Sequence, residues 1–283
     1  MKVKERRARF RAILAGDRCL PSASVFDALS ARIAEDLGFE IGMLGGSTAS
    51  MAVTGVPDLM GLTLTEFAQQ IHRICRAGNL SLMVDADDGY GNAINVMRCV
   101  EEVETAGAAG MSLEDTALPP GFGATDRERL IPLEEGVGKM RAALEARDDP
   151  GFVIVGRTSA AAIEGLEGAI RRLSAYAEAG VDAIFPIGIK TREELERLHS
   201  AIDRPIVLPA GGDAFSDAAY LAGQGVRLTL HGHKPFAAAM QAVEATLRAQ
   251  RDGGEPPISP EPGLMARITR RADYDRWLDD FMT

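Results

Sequence analysis

Cysteine is scarce in this sequence, and its distribution argues against one class of protein. The 283 residues contain only Cys19, Cys75 and Cys99, which lie far apart and in apolar surroundings. Such spacing does not supply the paired thiols of a disulfide-stabilised extracellular fold, and it indicates buried thiols in a reducing compartment. We therefore expect a cytoplasmic protein, and none of the three cysteines has the surroundings of a nucleophile.

Long apolar runs are also lacking, because no stretch approaches the roughly 18 apolar residues needed to cross a bilayer. The sequence therefore predicts no membrane partner. The basic N-terminal run, residues 2–9, continues into Phe10, Ile13 and Leu14 at helical spacing. That pattern is typical of a short amphipathic helix, since a signal peptide would need a longer apolar centre.

Positive charge is in deficit. The chain has 31 Lys and Arg residues against 41 Asp and Glu residues, which gives a formal net charge of -10. Nucleic-acid binding depends on clustered basic side chains that neutralise phosphates, so no nucleic-acid partner is expected. No flexible linker divides the chain before residue 251, which favours one large domain over two smaller ones.

The sequence does contain a regular alternation of short apolar runs with longer helical patterns. The predicted strands are residues 20–25, 41–44, 80–85, 110–113, 152–156, 183–186, 205–208 and 226–230. The predicted helices are residues 27–37, 64–77, 93–106, 133–146, 166–179, 192–201, 216–222 and 235–249. Eight such units predict an α/β fold, a (β/α)8 TIM-type barrel, with an open doubly wound sheet as the weaker alternative.

The alternation ends after residue 249. Residues 251–263 are rich in proline, glycine and charge, and an amphipathic helical pattern resumes over residues 264–281. We therefore divide the chain into a catalytic barrel with a short N-terminal helix, residues 1–250, and a linker with a C-terminal helix for oligomerisation, residues 251–283. An appended helix with an apolar face packs either on its own barrel or on a neighbouring subunit.

Acidic residues follow two predicted strands at their carboxyl ends, where barrel enzymes carry their chemistry. Asp85, Asp87 and Asp88 follow the third strand, and Glu114 and Asp115 follow the fourth. Because like charges repel, such a cluster favours a divalent cation such as Mg2+, which prefers oxygen ligands. Solvated turn residues are the alternative, since Asp and Gly are common where strands end.

Other strand ends add further polar groups. Residues 45–50 are small and predict a loop whose backbone N–H groups can approach an anion. Arg157 follows the fifth strand, and His231 and His233 follow the eighth. Each has a structural explanation as a tight turn, a surface ion pair or a helix cap. Because the carboxyl ends of barrel strands surround one opening, we expect these groups to form a single site.

Such a site suits a 2-oxo acid as its substrate. Mg2+ can chelate the carboxylate and keto oxygens, while Arg157 pairs with a carboxylate through two hydrogen bonds. When a bond at C3 breaks, the negative charge that grows on the keto oxygen would be stabilised by the cation. Decarboxylation, retro-aldol cleavage and phosphoryl migration all need this arrangement.

Five segments together resemble the isocitrate lyase and phosphoenolpyruvate mutase superfamily. They are residues 45–47 (GGS), 85–92 (DADDGYGN), 112–115 (SLED), 155–158 (VGRT) and 231–233 (HGH). The resemblance covers residues 8–250, and the nearest branch is that of the oxaloacetate decarboxylases. It implies Mg2+-dependent decarboxylation of oxaloacetate, or of a 3-substituted analogue, to pyruvate and CO2, with Mn2+ as a substitute metal.

The same resemblance implies a role for each site residue. It makes Asp85 the direct metal ligand, with Asp58, Asp87 and Glu114 holding metal-bound waters. It assigns the substrate, a 2-oxo dicarboxylate, to Ser47, the backbone at Gly46, Arg157 and His233. Superfamily members also swap their last helices between subunits and form homotetramers as dimers of dimers, which gives the C-terminal segment a function.

Two departures from the superfamily pattern limit the activity. The lyases carry a Lys-Lys-Cys-Gly loop whose cysteine acts as general acid, whereas this chain has TALPPGFG at residues 116–123. These residues belong to a loop, residues 116–126, that gates the site in this superfamily. Ala210 and Gly211 stand where an aromatic residue is expected, which predicts a wider or differently polar pocket that accepts a substituted substrate. The alternatives are a C–C or C–P lyase acting on a substituted malate or phosphonopyruvate, and a non-catalytic dicarboxylate-binding barrel.

Overall fold

Nine parallel strands form the centre of the molecule in the computed structural model, which describes residues 2–123 and 129–282. They are β1 (Leu20–Pro21), β2 (Ala23–Ser24), β3 (Ile41–Leu44), β4 (Ser81–Asp85), β5 (Gly110–Glu114), β6 (Val153–Thr158), β7 (Ala183–Pro186), β8 (Ile206–Pro209) and β9 (Val226–Leu230). The strands pair in parallel in the order β1-β9-β8-β7-β6-β5-β4-β3-β2.

The first predicted strand is divided, and the division closes the sheet. Leu20 and Pro21 of β1 pair with Leu228 and Thr229 of β9, whereas β2 pairs with β3. Between β1 and β2, the Ser22 N–H donates to the Thr229 carbonyl at 2.9 Å. The chain therefore passes from one neighbouring strand to the other. A continuous first strand is wrong, but the predicted (β/α)8 TIM-type barrel is confirmed.

Helices surround the barrel and alternate with its strands. They are α1 (Val3–Ala15), α2 (Ala28–Asp36), α3 (Gly46–Thr54), α4 (Leu64–Ala77), α5 (Ala93–Thr105), α6 (Leu133–Ala146), α7 (Ala160–Ile163), α8 (Gly165–Ala179), α9 (Arg192–Ala201), α10 (Ala218–Gly223), α11 (Lys234–Asp252), α12 (Leu264–Ile268) and α13 (Arg271–Met282). The helices predicted at residues 64–77, 133–146 and 192–201 have the observed bounds. The other predicted barrel helices differ by a few residues at their ends.

Helix α3 lies where the sequence predicts a small-residue loop, so that prediction is wrong. Glycine, serine and threonine have low helix propensity, and local sequence alone therefore disfavours this helix. Thr48 and Ala49 are completely buried, which indicates that packing against the barrel stabilises it instead. The short helix α7 also has no counterpart in the prediction.

Two apolar layers hold the barrel together. Inside it, Met83 and Val155 pack with Phe10, Ile13 and Leu14 of α1, which closes the amino-terminal end as an amphipathic helix should. A larger layer lies between the strands and the surrounding helices. This arrangement leaves the carboxyl ends of the strands as the open mouth of the barrel.

The C-terminal helices bury little of their surface. No residue of α11 is buried, although it occupies the place of the last barrel helix in the sequence. Ile268 of α12 is buried, and Arg267 and Arg270 pair with Asp36 of α2 at 2.7 and 2.8 Å. The single helix predicted over residues 264–281 is broken at Arg270, where φ is +60°. Across residues 2–123 and 129–282, no helix is long and apolar enough to span a bilayer.

Candidate active site

The carboxyl ends of β4, β5 and β6 bring three charged side chains into the mouth of the barrel. Asp85 and Glu114 are the last residues of their strands, and Arg157 is the last but one of its strand. Side chains alternate between the two faces of a strand, and Met83 and Val155, two residues earlier, belong to the inner core. The three charged side chains therefore continue the inward-facing rows.

The Arg157 guanidinium bridges two carboxylates. Its Nη2 lies 3.0 Å from Glu114 Oε2, and its Nη1 pairs with Asp85 Oδ2. The guanidinium carbon lies 5.4 Å from the centre of the Phe185 ring, and Ser112 Oγ donates to Asp85 Oδ1 at 2.9 Å. Burial alone would lower the pKa of Arg157, but the Asp85 and Glu114 carboxylates raise it above its ordinary value. Arg157 is therefore a fixed positive charge at the centre of the mouth.

Two further carboxylates surround this pair. Asp87 lies on a left-handed turn with φ of +48°, and burial raises its pKa well above the ordinary value, with further increases from Asp85, Asp58 and Glu114. Asp58 lies in the segment after α3. Partial burial and the Asp85 carboxylate raise its pKa, whereas Arg157 lowers it. One guanidinium thus faces four acidic groups, and negative charge is in excess.

The last predicted polar group, His233, lies across the opening. A Cβ atom on Gly45 would be 2.4 Å from His233 Cε1, so the ring packs directly on the backbone before α3. His233 Nδ1 is 3.2 Å from Ser24 Oγ. Burial lowers the pKa of His233, although Asp85 and Asp58 act in the opposite direction. The imidazole is therefore neutral near pH 7.

The first turn of α3 meets the acidic cluster. A Cβ on Gly46 would lie 2.6 Å from Asp87 Oδ1, so glycine permits this close approach. Ser47 follows in the same turn and is half-buried. The first N–H groups of a helix have no partner within it and can bind an anionic group. The predicted residues at this position are thus in a helix, yet they remain beside the site.

A cavity of about 200 Å³ opens between these groups. Asp85, Arg157, His231 and His233 line it, as the sequence predicts. Ser24 and Phe185 also line the cavity, and the Phe185 ring contacts Arg157. Neither residue was predicted as part of the site. Their only sequence signal is a position at the carboxyl end of a strand, which does not distinguish them from neighbouring residues.

Two acidic residues predicted at the mouth are elsewhere. Asp88 is buried and accepts a bond from Lys139 of α6, whose Nζ lies 3.4 Å from Asp88 Oδ2. Asp115 is completely buried behind the strands and accepts a bond from the Tyr176 hydroxyl at 2.6 Å. Both predictions are wrong because each side chain points to the helix layer. There, Asp88 pairs with a lysine and Asp115 accepts a hydrogen bond from a tyrosine hydroxyl.

The donor set suits a hard divalent cation. Asp58, Asp85, Asp87 and Glu114 offer only oxygen atoms, and burial, followed by the neighbouring carboxylates, raises the pKa of Asp87. Within the described residues, no group of three or more His, Cys, Asp or Glu side chains is arranged to hold a metal ion. Arg157 separates the carboxylates instead. The residues thus fit an ion that has few direct protein ligands.

The two sequence departures, the missing catalytic cysteine loop and the missing aromatic residue, can be compared with the structure. Cys75 and Cys99 are buried in the outer core, and burial raises the pKa of both thiols, so neither is a general acid at the mouth. Ala210 packs against the outer layer, while Pro209 lines the cavity. Ala210 is therefore not among the residues that line this cavity. Of the predicted gating loop, residues 124–126 lie outside the described residues.

Comparison with known proteins identifies the family of this chain and several relatives. The family model for phosphoenolpyruvate phosphomutase matches residues 10–251. The oxaloacetate decarboxylase of Bradyrhizobium diazoefficiens is 56% identical over 276 residues, which is 96% of each chain. A phosphonopyruvate hydrolase solved with oxalate and Mg2+ is 28% identical with a TM-score of 0.85, over the full length of both chains. An oxaloacetate acetylhydrolase solved with 3,3-difluorooxalacetate is 26% identical with a TM-score of 0.85, over 98% of this chain and 97% of the other.

The match to the family model extends from α1 to the end of α11, and it includes every strand and the acidic cluster at the barrel mouth. The alignment with the Bradyrhizobium relative covers 96% of this chain. On this evidence, the chain belongs to the phosphoenolpyruvate phosphomutase family, within the superfamily that also contains isocitrate lyase.

Proposed function

We propose that this protein decarboxylates oxaloacetate, or a 3-substituted analogue, to pyruvate and CO2 with a divalent cation. The observation that carries the proposal is the 56% identity, over 96% of both chains, to a relative named oxaloacetate decarboxylase. The mouth of the barrel supports it, because it combines oxygen ligands with the positive charge of Arg157 around a cavity of about 200 Å³.

We assign the cation to the acidic cluster, with Asp85 as direct ligand and Asp58, Asp87 and Glu114 bound through water. The ion is Mg2+, with Mn2+ as a substitute, and the solved phosphonopyruvate hydrolase complex with Mg2+ supports the assignment. When bound, the cation supplies electrostatic stabilisation for negative charge that develops on a keto oxygen. Ser112 holds Asp85 in place through the 2.9 Å hydrogen bond to Oδ1.

We assign the substrate to the groups around the cavity. Arg157 binds a carboxylate of the substrate through its guanidinium group. The first turn of α3, at Gly46 and Ser47, binds the carboxylate end of the substrate through backbone N–H groups. His233 contacts the substrate from the opposite rim as a neutral imidazole. The C3–C4 bond breaks, its electron pair passes to the three-carbon enolate, CO2 leaves, and C3 then takes a proton from solvent.

A C–C or C–P lyase activity is the second candidate. The solved relatives named phosphonopyruvate hydrolase and 2,3-dimethylmalate lyase favour it, at 28% and 27% identity. The buried positions of Cys75 and Cys99 count against a thiol-dependent lyase, because no described cysteine lines the cavity. A non-catalytic dicarboxylate-binding barrel is the third candidate, and tight oxalate binding without turnover of any 2-oxo acid would favour it.

Turnover of oxaloacetate tests the proposal directly. Purified protein with Mg2+ should release pyruvate far above the rate of Mg2+ alone, and EDTA should remove that activity until Mg2+ or Mn2+ is restored. Asp85→Ala should reduce the rate to that of the free metal, while Asp203→Ala, at the opposite end of the barrel, serves as the control. Full activity in the Asp85 variant would refute the assigned ligand, and faster cleavage of phosphonopyruvate or a substituted malate would favour the second candidate.

We further propose a homotetramer, a dimer of dimers in which the C-terminal helix of residues 251–283 is exchanged between subunits and α11 provides further contacts. The absence of any buried residue in α11 supports this, since a last barrel helix normally covers the sheet. Apolar Pro21, Ile33 and Phe39 line an open groove of about 520 Å³ beside its first turn. Three unpaired cysteines support a cytoplasmic location.

A further inference from the structure

The strand ends that carry Glu114 and Arg157 are also joined on their outer side. Thr158 Oγ1 donates to Asp115 Oδ2 at 3.0 Å, and both residues are completely buried. Asp115 follows Glu114 and Thr158 follows Arg157, so alternation along each strand places the two pairs on opposite faces. The inner pair lies on the inner face of the strands, where Arg157 lines the cavity, and the outer pair faces the helix layer.

The outer pair is itself held by α8. Asp115 Oδ2 also accepts from the Tyr176 hydroxyl at 2.6 Å and from Arg172 Nη1 at 3.1 Å. Arg172 in turn pairs with Glu164 at 2.7 Å. Burial and the neighbouring Asp115 carboxylate raise the pKa of Tyr176, which therefore remains a hydroxyl donor. Three donors from two elements thus converge on one oxygen atom of Asp115.

The same network reaches the chain that returns after β5. The Ile131 N–H donates to the Asp115 carbonyl at 2.9 Å, and Arg172 Nη1 donates to the Ile131 carbonyl at 3.0 Å. All three side-chain donors meet Asp115 Oδ2, while Asp115 Oδ1 is buried without a hydrogen-bond partner among the described residues. Breaking any of the three bonds would leave a buried donor without its partner, which favours this one arrangement. Asp115 therefore fixes the carboxyl end of β5 relative to both β6 and α8.

We propose that Asp115 and Thr158 are positioning residues, which hold Glu114 and Arg157 in register from behind the strands. Neither residue touches the cavity, so each acts only through the backbone it shares with its neighbour. The geometry of the inner pair depends on this, because the 3.0 Å contact between Arg157 and Glu114 joins side chains on two separate strands. The inference rests on the proposed function for the effects on turnover and Mg2+ binding, whereas the register of the two strands does not depend on it.

A matched pair of substitutions at Thr158 tests this role. Thr158→Val keeps the shape and removes the hydroxyl donor, whereas Thr158→Ser keeps the donor. Loss of a residue that orients a metal-binding group typically costs about 10- to 100-fold in metal affinity or activity. We expect Thr158→Val to weaken Mg2+ binding in calorimetry and to lower kcat by about tenfold with little change in KM, and Thr158→Ser to restore both.

A control separates positioning from a general loss of stability. Glu104 forms a buried pair with Arg7 at 3.2 Å near the amino-terminal end of the barrel, so Glu104→Gln should lower Tm without changing Mg2+ affinity. Asp115→Asn, with crystal structures of all variants, adds a second measurement. It should weaken Mg2+ binding as Thr158→Val does, and both should separate Arg157 from Glu114 by more than about 0.5 Å.

Equal Mg2+ affinity in Thr158→Val and Thr158→Ser, with an unchanged contact between Arg157 and Glu114, would overturn the inference. The crystal structures report on strand register whether or not oxaloacetate is the substrate. A wild-type protein that binds Mg2+ but does not decarboxylate oxaloacetate would refute the proposed function alone. In that case, the positioning role is still tested by the Mg2+ affinity of the Thr158 variants and by the distance between Arg157 and Glu114 in their crystal structures.

Discussion

Arg157 Nη2 lies 3.0 Å from Glu114 Oε2, and the two residues are direct partners in the register of β5 and β6. The same guanidinium also pairs with Asp85. One positive charge, on a side chain that is 19% exposed, therefore stabilises two carboxylates that would otherwise repel each other in the mouth of the barrel. We expect both the stability of the metal-free protein and its binding of ligands to depend on this residue.

Removing the charge of Arg157 should therefore destabilise the metal-free protein. Breaking a buried ion pair by deleting one partner costs about 3–5 kcal/mol, because the other charge stays buried. We expect Arg157→Met to lose about 3 kcal/mol in urea unfolding without metal, and saturating Mg2+ to restore part of the loss. Arg157→Lys, which keeps the charge, is the control. Equal unfolding free energies for the two variants without metal would contradict this role.

Removing the charge of Asp87, unlike that of Arg157, should stabilise the metal-free protein at pH 7. Its pKa is raised in the folded state by burial and by neighbouring carboxylates, so the folded protein binds a proton more tightly than the unfolded chain. The stability that this proton provides is complete below the ordinary carboxyl pKa and is lost as the pH rises through the raised value. We expect Asp87→Asn to raise the Tm of the metal-free protein at pH 7 and to weaken Mg2+ binding, and the gain in Tm should shrink as the pH falls.

The neighbouring residue gives a matched control for Asp87. Asp88 accepts a bond from buried Lys139, so Asp88→Asn leaves that ammonium group without its counter-ion and should cost about 3 kcal/mol at pH 7. Thermal unfolding of both variants between pH 4 and 8, in steps of about one unit, measures the two effects. A loss of stability in Asp87→Asn at pH 7 would show that its carboxylate is stabilised in the folded protein.

Much of this architecture could be predicted from the sequence because the determinants are local and periodic. Apolar runs mark the buried strands, and parallel strands in a barrel bring their carboxyl ends together. Asp85, Glu114 and Arg157 could therefore be grouped although more than 70 residues separate the first from the last. The division of the first strand at Ser22 could not be predicted, because it depends on a change of hydrogen-bonding partner.

Side-chain direction in the loops was the main source of error. Asp87 and Asp88 are adjacent, yet one faces the carboxylate cluster and the other pairs with Lys139. The left-handed backbone at Asp87 breaks the alternation that governs a strand, so the sequence alone does not show which carboxylate faces the mouth. Helix α3 was missed for a related reason, since tertiary packing overrides the low helix propensity of its residues.

The close approach of α3 to the acidic cluster leads to a further prediction. In Gly46→Ala the new Cβ would lie 2.6 Å from Asp87 Oδ1, and the carboxylate must move. Alanine is the better helix former, so a weaker site would not follow from a weaker helix. We expect Mg2+ affinity to fall about tenfold or more in calorimetry. Gly138→Ala in α6, where no atom lies within 4 Å of the new Cβ, is the control and should bind Mg2+ as the wild type does.

The exposed apolar face of α11 predicts how the protein assembles. Met240, Val243 and Leu247 recur at helical spacing and are 45%, 51% and 59% exposed, which is unfavourable in an isolated subunit. We expect the wild type to be a tetramer by light scattering, and Leu247→Glu to dissociate it into smaller species, because burying a carboxylate in an apolar contact is costly. Gln241→Glu places the same charge on another face of α11 and should leave the mass unchanged. A monomeric wild type, or a Leu247→Glu variant with the wild-type mass, would show that this face is not an interface between subunits.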